Sequence, residues 1–537
     1  MKNIINKLMF ALLLSFVLLA CKKTETTETP VVPTPDPPKT TYTYNTADGF
    51  GSDRMHNLNI VYFVPKDLDT VAGYKKRLSE ILLMGQKFYK EEMTRLGYTD
   101  KTFGLWVNAN KRVKIITIFG TKTKSEYPRE GGAGAIAAEI NAYFAANPND
   151  QTSVHTLILL PPYGYNADGT PIDGPFYGTG KWCYAMDYEG LEPKYIGTNK
   201  FTKWYGGMMH ELGHGLNLPH NCLKMTEKTS LGTALMGAGN YTLSLSKTSL
   251  TATDAAILNA NQVFNIDDKT YYGAVTATIS TISASYDATK STIVISGKYT
   301  TNGKVNSIVY YNDPNVNNEG LGVNKDYNAV TWESKPFGAN EFKIEIPLAD
   351  LEFKGNTEYE LRLGLVHENG TIKSFSYLYQ FVNNLPVLEF GTRNELSKQG
   401  WSISAFSSEE TSGEGATDGR AVKLIDGDLN SYWHSKWTGT AASYPHYVTI
   451  DIGSSRSIAG ISIAQRSSLS RSVKDFEILL STDGQNFSSA GNYTLVNSAS
   501  IQYFNLPAQQ TIRYFKIVAK SAHDGDKFAA LAEVGAY

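Results

Sequence analysis

Cysteine is nearly absent from this chain, with three in 537 residues, too few for a disulfide framework. Charge is sparse as well. Asp, Glu, Lys and Arg make up 19% of the residues and the net charge is -2, which argues against nucleic acid or an anionic membrane surface as a main partner. The apolar run from Leu8 to Ala20 is too short for a comfortable membrane span. Histidine is rare too, at nine. What is plentiful is Tyr (33) and Gly (46), the composition of a globular, loop-rich and strand-rich protein. The length is too great for one core and predicts roughly two to four domains.

The scarcity of histidine makes its distribution informative. Three of the nine fall in His210-Glu211-Leu212-Gly213-His214-Gly215-Leu216-Asn217-Leu218-Pro219-His220. Chance assembly of this pattern is on the order of 10⁻⁴ across the chain. On a helix, His210 and His214 stand one turn apart on one face, so both rings can reach one tetrahedral Zn²⁺ while Glu211 projects beside it to manage a water. Pro219 requires the helix to end before His220 arrives. The chain must therefore turn sharply, and Asn217 sits where a residue at positive φ is needed.

The ends of the chain add context. Lys2 and Lys7 precede the apolar run, which closes on Leu18-Leu19-Ala20-Cys21 and resembles the lipobox of bacterial lipoproteins. That resemblance implies a signal peptide over 1–20, acylation of Cys21, and a place in the bacterial cell envelope with the lipid anchor as the sole membrane contact. Residues 21–48, dominated by Thr, Glu, Pro and Lys, read as a disordered tether. Cys183 and Cys222 remain. An oxidising envelope permits a bridge between them, and two buried thiols are the alternative.

Between tether and motif, strands are predicted over 58–64, 113–119 and 155–160, and helices over 74–96 and 134–146. The helix carrying the histidines is predicted from about Thr202. Residues 163–188 read as an edge strand or a loop over a cleft. Asp48 and Asp53 are candidates to mask a metal from a propeptide.

His210, Glu211, His214 and His220 resemble the long zinc motif of the metzincin metallopeptidases, with Asn217 where that family has Gly. Thr233-Ala234-Leu235-Met236-Gly237 is similar to the family's Met-turn, which places Met236 beneath the zinc. The resemblance implies an α+β catalytic domain over 49–272, in which three histidines hold Zn²⁺ and Glu211 is the general base for peptide hydrolysis.

Residues 273–385 alternate apolar and polar around an Asn369-Gly370 hairpin turn and predict an immunoglobulin-like β-sandwich, read as a spacer. Over 386–537, Asp426-Gly427-Asp428-Leu429-Asn430-Ser431-Tyr432-Trp433-His434-Ser435-Lys436-Trp437 and Ser481-Thr482-Asp483-Gly484 resemble the discoidin-like sandwich of coagulation-factor C domains and family 32 carbohydrate-binding modules. This implies a calcium site at Asp426, Asp428, Ser431 and Glu533, and a glycan site at His434, Arg466, Trp437 and Tyr432. Trp433 reads as core. The whole is a multidomain chain whose expected function is a tethered zinc endopeptidase acting on extracellular proteins or glycoproteins. A glycan-binding adhesin and a zinc amidase on non-protein peptides are the alternatives.

Overall fold

The computed structural model describes residues 43–172, 174–318, 326–388, 390, 395–415 and 417–537. The expected signal peptide, Cys21 and most of the expected tether lie outside the described residues. Tyr44–Asn45, inside the segment read as tether, pairs with Phe50–Ser52, which pairs in turn with Val107–Asn108. Folded chain therefore begins ahead of residue 48.

A five-stranded sheet forms the frame of the N-terminal module. Its strands are β1 (Asn59–Val64), β2 (Ile116–Phe119), β3 (Thr156–Leu160), β4 (Tyr177–Thr179) and β5 (Trp182–Met186), in the order β2-β1-β3-β5-β4. Every residue of β1 and β3 is buried, as expected for parallel strands covered on both faces. All neighbours are parallel except β4, which runs antiparallel on the edge. Helix α1 (Tyr74–Arg95) buries Leu78, Ile81, Leu82, Tyr89 and Met93 at helical spacing and stops where Gly97 takes φ 88°. Helix α2 (Ala133–Ala146) buries Ile136, Ile140 and Phe144. Beyond β5, Asp187 is fully buried and accepts hydrogen bonds from Arg77 Nη1 (2.5 Å) and Nη2 (3.0 Å) and from the Tyr62 hydroxyl (3.0 Å). That cluster locks α1 to the sheet.

Helix α3 (Asn199–Gly215) carries the histidine motif, and α4 (Ala252–Asn259) follows. The start of α3 precedes the predicted one because the Thr198 side chain accepts from the Phe201 N–H, an N-cap. A capping box between Thr251 and Asp254 starts α4. Cys183 and Cys222 are both free thiols, so the bridge the envelope would permit is not formed.

The middle module is a sandwich of antiparallel strands. One sheet holds β6 (Ala277–Asp287), β7 (Thr292–Thr301) and β10 (Glu341–Pro347). The other runs β9-β8-β11-β12-β13, where β8 is Val305–Pro314, β9 Val330–Ser334, β11 Glu358–His367, β12 Ile372–Val382 and β13 Leu385–Val387. Ile293, Ile295 and Phe342 from the first sheet share a core with Ile308, Tyr310 and Leu363 from the second. The reverse face of the second sheet is also covered. Val309, Tyr311, Ala329 and Val366 are buried in the same core as the zinc-motif helix. A spacer would not share a core with its neighbour, so that reading is revised.

The C-terminal module forms one seven-stranded sheet around Trp433, Ile450, Ile463, Phe476 and Phe515. Its strands are β14 (Ser402–Phe406), β15 (Trp433–His434), β16 (His446–Gln465), β17 (Asp475–Ser481), β18 (Ser488–Thr494), β19 (Gln502–Ala519) and β20 (Ala530–Ala536). Trp433 is 1% exposed, as its core reading requires.

Candidate metal centre

Helix α3 has an unusual number of glycines, and its packing explains them. A Cβ on Gly207 would lie 2.3 Å from the Phe176 ring, one on Gly213 2.3 Å from Met236 Sδ, and one on Gly215 2.7 Å from Cys183 Sγ. The helix is thus pressed against β5 and the 233–237 turn. The same closeness comes from the other side, since a Cβ on Gly178 of β4 would meet His214 Cβ at 2.3 Å. Glycine's cost in a helix interior is offset here by contact that no larger residue allows.

The helix ends with Asn217 at φ 72°. The Asn217 N–H donates to the His214 carbonyl (2.9 Å) and the Leu218 N–H to the Gly213 carbonyl (3.0 Å), so the chain reverses in one residue. Buried His155 braces the turn. Its Nδ1 lies 2.7 Å from the Gly215 carbonyl and its Nε2 2.6 Å from the Tyr272 hydroxyl. Asn217→Gly is therefore expected to leave stability within about 1 kcal/mol of the parent, because Gly adopts positive φ freely. Asn217→Val should lose roughly 1–2 kcal/mol, as β-branching is poorly tolerated there. Urea unfolding of the two variants checks this.

After the turn, His220 meets the helical pair. Ligand nitrogens of His210, His214 and His220 all lie within 4.8 Å of one another, and among the described residues this is the one such cluster of His, Cys, Asp or Glu. His210 Nδ1 is 2.8 Å from the Leu235 carbonyl and His214 Nδ1 2.8 Å from the Leu218 carbonyl. A carbonyl can only accept, so both Nδ1 atoms carry the proton and both Nε2 atoms offer a lone pair. His214 Nε2 and His220 Nε2 are 2.9 Å apart, close to the roughly 3.3 Å separating two nitrogens of a tetrahedral zinc. Burial pushes the His210 pKa down to about 4 and lowers that of His214, keeping both rings neutral. The donor set fits Zn²⁺: three imidazoles converge, and the two on the helix are neutral with the tautomer fixed by a backbone carbonyl.

Glu211 projects between α3 and β4. Burial raises its carboxyl to about 7, opposed by the Gly178 backbone N–H and the Arg129 charge. Met236 is fully buried against Gly213, beside the Leu235 carbonyl that orients His210. Asp48 pairs with Lys114 and Asp53 with Arg54, so neither masking candidate is part of this cluster.

Four contributors to this site carry no signal in the sequence. Gly178, the Leu235 and Leu218 carbonyls and Tyr327 come from distant chain or from backbone, and Tyr327 stacks on His220 at 3.8 Å between ring centroids. Only the glycine content of α3 hinted at such close neighbours.

In the C-terminal module the four glycan candidates gather around a carboxylate that no motif indicated, Glu414. The Tyr432 hydroxyl and Trp437 Nε1 donate to it (2.5 and 2.9 Å), and His434 Nε2 and Arg466 Nη2 lie 3.8 and 3.6 Å away. Glu414, His434, Trp437, Arg466, Arg471 and Phe528 line a cavity of about 280 Å³. Tyr432 instead supports Arg466, whose guanidinium sits 3.9 Å over its ring. The calcium candidates are less well gathered. Ser431 Oγ donates to Asp426 (2.8 Å), but Lys423 pairs with Asp426, Lys398 with Glu533, and Asp428 accepts from the Asn430 N–H.

Residues 402–534 match the F5/8 type C domain family. A sialidase of Micromonospora viridifaciens is 36% identical over 138 residues, 25% of this chain, and the chain spans 20% of that enzyme's length. The structure of wild-type OgpA from Akkermansia muciniphila matches with a TM-score of 0.58 at 35% identity, over 62% of this chain and 96% of OgpA. The structure of catalytically inactive OgpA in complex with an O-glycopeptide (glycodrosocin) substrate matches with a TM-score of 0.58 at 34% identity, over 63% and 96%. The chain belongs to the OgpA family and carries an F5/8 type C domain over residues 402–534.

Proposed function

We propose that this protein is a zinc metallopeptidase that hydrolyses peptide bonds of O-glycosylated proteins. The observation that carries this reading is the convergence of His210, His214 and His220 beside Glu211. The O-glycopeptide bound by OgpA supports the substrate class. His210, His214 and His220 would hold Zn²⁺, which when bound supplies Lewis-acid polarisation of the scissile carbonyl and a more acidic water. Glu211 takes the proton of the attacking water and delivers it to the leaving amine. The Gly178 N–H orients that carboxylate. Strand β4 is the sheet edge beside the helix, where an extended peptide can add as a further strand. The metzincin-like architecture belongs to this same proposal, as do the immunoglobulin-like character of the middle sandwich and the domain limits near residues 272 and 385.

In this reading Cys21 carries the lipid and the segment after it tethers the enzyme at the bacterial envelope. The F5/8 type C domain binds glycan in the cavity around Glu414, raising the local concentration of glycoprotein at the active site. We expect Arg466→Ala and Trp437→Ala to weaken glycan binding by about tenfold or more, since each removes a hydrogen-bonding or stacking wall. A glycan array of the intact protein and both variants measures it, and equal binding by all three would remove the cavity from consideration. Cleavage profiles of secreted glycoproteins, parent against Glu211→Gln, test the enzymatic reading. New termini next to glycosylated Ser or Thr in the parent alone support it, and identical profiles refute it.

A further inference from the structure

His220 is the ligand that no helix holds. His210 and His214 are fixed on α3, each with a backbone carbonyl at Nδ1. His220 follows Pro219 in irregular backbone, outside the helix. One face of that ring is covered by Tyr327, at 3.8 Å between centroids and 24° between planes.

Tyr327 comes from the middle sandwich, in the connection between β8 and β9, and its surroundings are pinned on both sides. The preceding Asp326, at φ 63°, pairs with Arg362 Nη2 of β11 at 2.9 Å. The Ala329 N–H donates to the Asp326 carbonyl (2.8 Å), and the Ala329 carbonyl accepts from the Cys222 N–H (2.9 Å). Cys222 forms a parallel bridge with Val330, and Ala329 is fully buried in the N-terminal module's core. The segment leaving His220 is thus hydrogen-bonded to the segment that carries Tyr327, and the two rings meet as a consequence.

Resting on the zinc reading of the triad, we propose that Tyr327 is a positioning residue of the metal centre: its ring holds the plane of His220 so that Nε2 meets those of His210 and His214. The middle sandwich is then a structural part of the active site, and a catalytic module cut at about residue 272 lacks a component of its own metal centre. Stacking by a flat ring suits this role. It restrains the tilt of an imidazole without competing for either of its nitrogens.

Full-length protein and the variants Tyr327→Phe, Tyr327→Leu and Tyr327→Ala would be stripped of metal and titrated with Zn²⁺ against a chromophoric chelator. Each would also be loaded with Co²⁺ for its visible d–d spectrum. Loss of an outer partner of a ligand lowers metal affinity about 10–100-fold, and that is the expectation for Ala and Leu, with a changed Co²⁺ spectrum. Phe keeps the ring and should stay within about threefold of the parent with the parent's spectrum. Circular dichroism and thermal unfolding in chelator show that each variant is folded, and Leu supplies bulk without a ring should Ala unfold. Equal Zn²⁺ affinity and unchanged spectra in Leu and Ala would overturn the proposal alone, as would Phe falling as far as Ala. A parent protein that binds no Zn²⁺ overturns the zinc reading and this inference with it.

Discussion

Glu211→Gln should lower glycopeptide cleavage by about 10³-fold or more while zinc content stays at parent level, the upper range for losing a general base. Gln keeps the volume of Glu and can still accept the Gly178 N–H, so neither fold nor ligand geometry has a reason to change. It cannot take a proton from water at neutral pH, and the described neighbours that tune Glu211 are a backbone N–H and the cation Arg129, neither of which can substitute. Initial rates on an O-glycopeptide, with metal analysis of the same samples, measure the effect. Activity within tenfold of the parent would remove Glu211 from the proton path.

Gly178→Ala should be nearly as damaging, although it alters neither a ligand nor a charge. The added methyl would sit 2.3 Å from His214 Cβ, far inside van der Waals contact, and neither atom is at the end of a flexible chain. Strand β4 or helix α3 has to move. Either shift displaces His214 and takes the Gly178 N–H from Glu211. A misplacement of about 1 Å costs on the order of 10²-fold in rate, and overpacking costs about 1–3 kcal/mol of stability. Cleavage rate, zinc affinity and thermal midpoint should all fall together. A variant with parent-like rate and affinity would show that the approach of β4 to α3 is not tight in solution.

The histidine cluster was legible in the sequence because its information is local. Helical spacing puts His210 and His214 on one face, Pro219 forces the helix to stop, and Asn217 supplies the left-handed residue, found at φ 72°. The strands and helices ahead of the motif were legible for the same reason, with α3 starting at Asn199 once the Thr198 cap is counted. What sequence could not give was anything dependent on distant chain meeting at one point. Tyr327 reaches His220 from a module whose alternating pattern reports only its own two faces, and alternation cannot say that the outer face of its larger sheet is buried against a neighbour. Glu414 sits between Gly413 and Gly415 in a loop with no periodicity to mark it, yet all four glycan candidates surround it. The pairing of Lys423 with Asp426 and of Lys398 with Glu533 is likewise invisible in the string of oxygen-bearing side chains around Asp428.

Whether the histidine cluster is a zinc site that cuts glycosylated peptide is tested most directly by mass spectrometry of two synthetic peptides incubated with the intact protein. They share one sequence and differ only in an O-linked glycan on a single Thr. The expected result is cleavage of the glycosylated peptide, loss of that cleavage when a chelator removes the metal, and its return on adding Zn²⁺. Cleavage that persists in chelator, or no cleavage of the glycosylated peptide by zinc-loaded protein, would contradict it.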